Sequence, residues 1–424
     1  MIKKILVEQS GYPLANLGDV SMLQGVVQRL KELYPDATIE VFTSAPEKLA
    51  QFCPQASPIN LSGRTIWYFP LIGRLFNFFS PEKQKLWWKW EWYLRHNQPR
   101  LVAALMQLKL KARPQETKAL KSFFATLDSA DLVVASGGGY ITDEFSELAA
   151  TVLGVLGMAQ SLGKPTVMLG HGLGPLKDPY LRSFAQSVLP KVNFITLREK
   201  RASMPLLQSL GVSSEGVLVT GDEAIKLAYS ARCQELGTEI GVNLRLAHYA
   251  GVTSQMLSIV RDVVQGFARS KSAQLLPVPI SQYDADNESI KQLLEGYSDN
   301  SDGGASLDTP IKVIEQIGRC RLVVTGSYHA GVFALSQGIP VVGLAKSVYY
   351  QDKFKGLAEQ FGTGCAVLLL DDPQLQDNLQ TEIKQLWELA PKLKTSLLKS
   401  AQQQIIFSDK ASLEIKQIKI SNHQ

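Results

Sequence analysis

The chain has 424 residues, of which 45% are hydrophobic and 20% charged, and its mean hydropathy is −0.01. This is the composition of a folded globular protein, and it excludes disordered and fibrous classes. The formal charge of +5 is uneven: residues 60–122 carry 12 Lys and Arg against 3 acids, leaving 32 against 36 elsewhere.

The length predicts two or three domains, and hence a cleft between them. The first residues, MIKKILVEQSGYP, read as a strand and a turn, because the apolar run after the lysines is too short for a signal sequence. No segment has the roughly 18 apolar residues that span a bilayer. Cys53, Cys233, Cys320 and Cys365 are far apart, with neither CxxC nor clustering with histidine. The expectation is a reduced, cytoplasmic protein with no structural zinc.

Short apolar runs alternate with longer mixed stretches, the pattern of buried parallel strands covered by helices. The runs at 5–7, 39–42, 132–135, 166–169, 194–197 and 217–219 form a first series. After a polar stretch at 230–237, runs at 240–244, 275–280, 322–324, 341–344 and 367–370 form a second. The fold class is therefore α/β, with two Rossmann-like halves spanning 1–229 and 236–424 and the latter ending in helices. A turn-rich excursion at 298–304 precedes a helix starting near Thr309-Pro310.

Residues 60–122 break the alternation and predict helices inserted into the first half, broken near Pro70 and Pro99. Five of the six tryptophans fall there, at Trp67, Trp87, Trp88, Trp90 and Trp92. One reading is a helical flap with tryptophans in its core and lysines on a solvated face. The other is an element that gathers a sugar acceptor or contacts a membrane surface peripherally. Nucleic-acid binding is disfavoured, because the rest of the chain is net acidic.

In open α/β sheets ligands bind beyond the carboxyl ends of strands. There the first half places Gly137-Gly138-Gly139 and Asp143, then Gly170-His171-Gly172-Leu173-Gly174-Pro175, then Arg198-Glu199 and Asp222-Glu223. The glycines permit close backbone approach or simply make turns. His171 reads equally as a residue presented to the cleft or a structural histidine. Arg198 offers a fork to a carboxylate or phosphate, or pairs with Glu199. Asp222 serves as a helix cap. In the second half, Asn243 and Arg245 end one strand, and Ser327-Tyr328-His329 leads into a helix whose positive end favours an anion.

Taken in order, these blocks resemble the polysaccharide pyruvyl transferase family. The resemblance begins at Asn16-Leu17-Gly18-Asp19 and continues through Gly137 to Gly139, Asp143, Gly170 to Pro175, Arg198-Glu199 with Ser203, Leu210-Gly211, Asp222 with Ala224 and Asn243-Leu244-Arg245. It closes with His329, Phe333-Ala334-Leu335, Gly338-Ile339-Pro340, Tyr349, Tyr350 and Lys353. Where the family has Arg-x-His, this chain has Ser327-Tyr328-His329.

The resemblance implies two halves facing across a cleft in a glycosyltransferase-B-like arrangement, with phosphoenolpyruvate as co-substrate, no other cofactor and no metal. His329 is then the candidate acid. Arg198, Arg245, Ser327, Tyr328 and Lys353 lie on the donor side. Asn16, Asp19, Gly137, Gly138, Gly139, Asp143 and His171 lie on the acceptor side, facing a sugar or polysaccharide, free or lipid-linked. A nucleotide-sugar glycosyltransferase and a catalytically silent glycan-binding relative are the alternatives.

Overall fold

A computed structural model describes residues 2–9, 11–71, 78–244, 252–282, 286–298 and 300–418, without the side chains of Lys85, Trp88, Lys89 and His96. All the expected strand runs form strands, and two more join them. The first half contains β1 (Lys4–Glu8), β2 (Thr38–Phe42), β3 (Ala56–Ile59), β4 (Leu132–Ala135), β5 (Gly138–Ile141), β6 (Thr166–Leu173), β7 (Phe194–Leu197) and β8 (Val217–Val219). They pair in the order β3-β2-β1-β4-β6-β7-β8, with β5 alongside β6. The second half contains β9 (Glu239–Asn243), β10 (Leu275–Pro277), β11 (Cys320–Thr325), β12 (Val341–Ala345) and β13 (Cys365–Leu369), in the order β10-β9-β11-β12-β13.

The pairings are parallel in both sheets. Helices cover both faces, so β4, β7 and β12 are buried along their whole length and their sequences are apolar except for Thr196. These are two Rossmann-like halves. Their strand ends meet where Leu17 N–H donates to Ile280 O at 2.7 Å and Gln282 N–H to Ala15 O at 2.8 Å.

Two expected loops are instead strand. Gly138 and Gly139 belong to β5, and β6 runs on through His171 to Leu173. The excursion after 298 does lead to a helix, Pro310–Gly318, capped by Thr309.

The insertion forms helices Ser62–Trp67, Pro81–Asn97, Pro99–Lys109 and Pro114–Ser129, the last three opening on proline, which fits the first turn. Its tryptophans divide between core and surface. Trp67 is core, edge-on to Phe124 at 4.9 Å with Arg95 stacked on it at 4.8 Å. Trp92 is half-buried, whereas Trp90 is exposed. Among the described residues no helix is long and apolar enough to cross a membrane.

One helix of 42 residues, Leu375–Lys416, ends the described chain and returns to the first half, where Ala411 and Ile415 join the core around β1 and β2. Its clamp is Arg29, which donates to Glu223 Oε2 at 3.0 and 3.1 Å, to Ser408 O at 2.9 Å, and to Ser412 Oγ. Arg29 and Glu223 are both buried. Arg29→Ala strands the Glu223 carboxylate, and is expected to cost about 3–5 kcal/mol, seen as an earlier urea unfolding midpoint. An unchanged midpoint would show the clamp to be energetically idle.

Candidate active site

The strand ends of the two halves enclose a cavity of about 450 Å³. Its walls include Asn16, Asp19, Gly139, Tyr140 and Arg198 from the first half and Ser327, Tyr328, His329, Tyr349, Tyr350 and Lys353 from the second. Eight of the residues expected at the site therefore come together: His329, Arg198, Ser327, Tyr328, Lys353, Asn16, Asp19 and Gly139. Arg245 lies outside the described residues.

His329 stands in the first turn of helix Tyr328–Ser336, reached directly from β11. Its ring lies on Gly18, where a Cβ would sit 2.1 Å from Nδ1, so only glycine fits beneath it. Asn16 holds Gly18 in place, its Oδ1 accepting from Gly18 N–H at 3.0 Å and Asp19 N–H at 3.2 Å. This caps helix Leu17–Leu33. The Asn-x-Gly-Asp block is thus a cap, a seat for an imidazole across the domain boundary, and a carboxylate in the cavity wall.

Arg198, at the end of β7, is buried with its guanidinium 4.1 Å above the Tyr328 ring. Gly172 and Gly139 give it room. A Cβ on Gly172 would lie 2.5 Å from Nε, and one on Gly139 would lie 2.4 Å from Nη2. That same position is 3.0 Å from Lys353 Nζ. Two cationic heads from opposite halves thus converge over one glycine, and Arg198 Nη2 is buried there with no hydrogen-bond partner among the described residues. Lys353 also rests 3.8 Å over the Tyr349 ring, and the Tyr349 hydroxyl donates to Gly139 O.

Asp222 lies behind this wall. Its Oδ1 accepts from Ala224 N–H at 2.9 Å in the turn before helix Ile225–Ser230, whose N-cap is Ala224, so Asp222 is not the expected helix cap. Its Oδ2 stands 3.7 Å from Arg198 Nη1 and also 3.7 Å from His329 Nε2. Arg198 thus pairs with Asp222 and not with Glu199, whose carboxylate takes the helix-start N–H groups of Ala202 and Ser203 at 2.8 and 3.0 Å. A cap signal in the sequence gave no sign of the second oxygen's contacts.

Burial pushes the Asp222 carboxyl up to about 6, against the downward pull of Arg198. The folded chain therefore holds this proton more tightly than the unfolded chain. The resulting stabilisation is fully present below about pH 4 and is lost as pH rises through 6. Asp222→Asn keeps an oxygen for Ala224 and carries no charge. It is expected to melt above the parent at about pH 7.5, the two converging below pH 4. A parent melting at or above the variant at the higher pH would contradict this.

The remaining expected residues support the wall from outside the cavity. His171 is fully buried and shares a 2.8 Å hydrogen bond with the Tyr140 hydroxyl; burial first, and then Arg198, pushes its pKa down to about 3. Residues alternate along β6, so Gly172 faces Arg198 while His171 turns inward behind Tyr140. Gly137 packs where a Cβ would meet Gly170 O at 2.8 Å, and Gly138 pairs with His171 across β5 and β6. Asp143 accepts from Lys177 and Asp178 N–H at 2.6 and 3.1 Å, bracing a loop. Asn243 donates to Val278 O at 2.9 Å and Asp286 Oδ2 at 3.1 Å, inside the second half.

The fold is shared with solved structures. The S. aureus MnaA–UDP structure superposes with a TM-score of 0.54 at 14% identity, covering 100% of both chains. UDP-GlcNAc 2-epimerase from Neisseria meningitidis gives 0.54 at 14% identity, over 98% of this chain and 99% of that one. These likenesses define the fold as glycosyltransferase-B-like. The family profile described as polysaccharide pyruvyl transferase matches residues 16–347. The chain belongs to the polysaccharide pyruvyl transferase family. It is similar to the amylovoran biosynthesis protein AmsJ of Erwinia amylovora, 22% identical over 266 residues that make up 57% of this chain. The match spans 62% of AmsJ.

Proposed function

We propose that the protein transfers the pyruvyl group of phosphoenolpyruvate to two hydroxyls of a sugar, forming a ketal on a cell-surface or exopolysaccharide precursor. The observation that carries this is the pair of cations, Arg198 and Lys353, converging over Gly139 beside His329. A donor with a carboxylate and a phosphate suits two cationic heads. Here Arg198, reaching across from the first half to Tyr328, supplies the charge that the family's arginine would bring at Ser327.

In the reaction the methylene carbon gains a proton and one sugar hydroxyl adds to the adjacent carbon. The second hydroxyl then displaces phosphate. Of the two protons the hydroxyls release, one balances the new methyl group and one leaves with phosphate. His329 supplies the first proton, with Asp222 Oδ2 standing 3.7 Å from its Nε2. Asp19 receives one from the acceptor on the opposite wall. Family membership and the likeness to an amylovoran biosynthesis protein support a polysaccharide acceptor. We place the reaction in the cytoplasm, on a lipid-linked precursor brought by peripheral membrane contact of the insertion.

Incubation with phosphoenolpyruvate and a panel of glycosides carrying vicinal or 4,6-diols tests the reading. It predicts phosphate release matched by acid-labile pyruvate on the glycoside. Glycosyl transfer from a nucleotide sugar without such release would favour the alternative suggested by Ser327 at the helix start.

A further inference from the structure

We infer a second subsite, for a single aliphatic chain, in the groove between the insertion and the helices Ser146–Ser161 and Pro179–Val188. It rests on the reading that the cleft takes the acceptor: the chain is the hydrophobic end of an amphipathic acceptor whose sugar lies in the cleft. The groove holds about 1020 Å³ and is lined by Tyr68, Trp92, Ala150, Leu181 and Phe184, among others.

Its floor is fixed. Trp92 packs 4.5 Å from Phe184 and 5.4 Å from Tyr68, ring centre to ring centre. The Tyr68 hydroxyl donates to Thr151 O at 2.9 Å. Both rings settle on Gly154, where a Cβ would lie 2.4 Å from the Tyr68 hydroxyl and 3.1 Å from the Trp92 ring. With that hydroxyl engaged, the aromatic floor suits an occupant that brings no polar groups of its own to satisfy.

The groove adjoins the cleft through one helix. Phe145 and Leu148, at the start of Ser146–Ser161, line the cleft, while Ala150 and Thr151 line the groove. The two spaces are therefore separated by about one helix diameter, roughly 10 Å. Three charged residues, Glu147, Asp178 and Lys191, also line the groove, and all are solvent-exposed. The insertion helix that contributes Trp92 to the groove also exposes Leu86 and Trp90, amid the insertion's excess of Lys and Arg, a surface suited to the interface where amphiphiles reside.

The probe is a neutral long-chain alkyl glycoside with a terminal pyrene, used below its micelle concentration and excited by transfer from tryptophan. Saturable binding is expected, competed by the unlabelled long-chain glycoside and not by the methyl glycoside. Ala150→Trp with Ser183→Trp fills the groove from half-buried and exposed positions, and is expected to weaken binding about tenfold or more at an unchanged melting temperature.

Absence of saturable binding, or equal affinity in the filled variant, overturns the subsite. A parent dimer that the filled variant dissociates, with no probe binding, assigns the groove to a second copy. The assay involves no transfer, so failure of the pyruvyl-transfer reading would leave its outcome legible.

Discussion

His329→Ala is expected to lower kcat by about 10²- to 10⁴-fold, the usual contribution of a positioned acid, with the fold intact. The ring's place is set by its surroundings: Gly18 beneath it, Asp222 Oδ2 at 3.7 Å from Nε2, and the start of helix Tyr328–Ser336 around it. Gly18→Ala tests the same point without touching the imidazole's chemistry. Its new Cβ would fall 2.1 Å from Nδ1, so the ring must move, and kcat should drop in the same direction. Steady-state kinetics on both variants, each checked by circular dichroism, decide the matter. Parental turnover in folded His329→Ala would remove His329 from the reaction.

Arg198→Ala is expected to cost about 10²- to 10³-fold in kcat/KM for the donor, in the range for loss of one preorganised charge-stabilising group. Lysine should not rescue it, because the guanidinium is stacked on Tyr328 and framed by two glycines, a setting that a flexible ammonium does not reproduce. Gly139→Ala keeps both charges and drives Arg198 and Lys353 apart, since its Cβ would lie 2.4 and 3.0 Å from their head groups. It should raise the donor KM while leaving the thermal midpoint near the parent's. Equal KM values in parent and Gly139→Ala would mean that the convergence of the two cations does not hold the donor.

The two-sheet architecture was legible because buried parallel strands are written as continuous apolar runs, as in Leu132 to Ala135 and Val341 to Ala345. The two added strands hide for different reasons. β3 is a short edge strand of sequence ASPI, whose Ser57 and Pro58 read as loop. β5 contains two glycines, which look like a turn, yet the missing side chain of Gly139 is what admits Arg198 and Lys353.

At the site, ordered motifs identified most of the wall residues, because strand ends are where an α/β sheet presents them. They did not distinguish a cavity side chain from one that braces it. The glycines around His171 serve Glu223 and Arg198, not the histidine. Asp222, expected as a cap, stands one turn ahead of the helix and reaches Arg198 and His329, a long-range contact that spacing does not encode. The return of the 42-residue helix to the first core is likewise a tertiary event.

The most direct test is donor binding, read as the melting temperature of the purified protein against phosphoenolpyruvate and UDP, since a ligand that binds the folded state raises it by mass action. The account predicts a concentration-dependent rise with phosphoenolpyruvate that is lost in Arg198→Ala. A rise with UDP alone would contradict it.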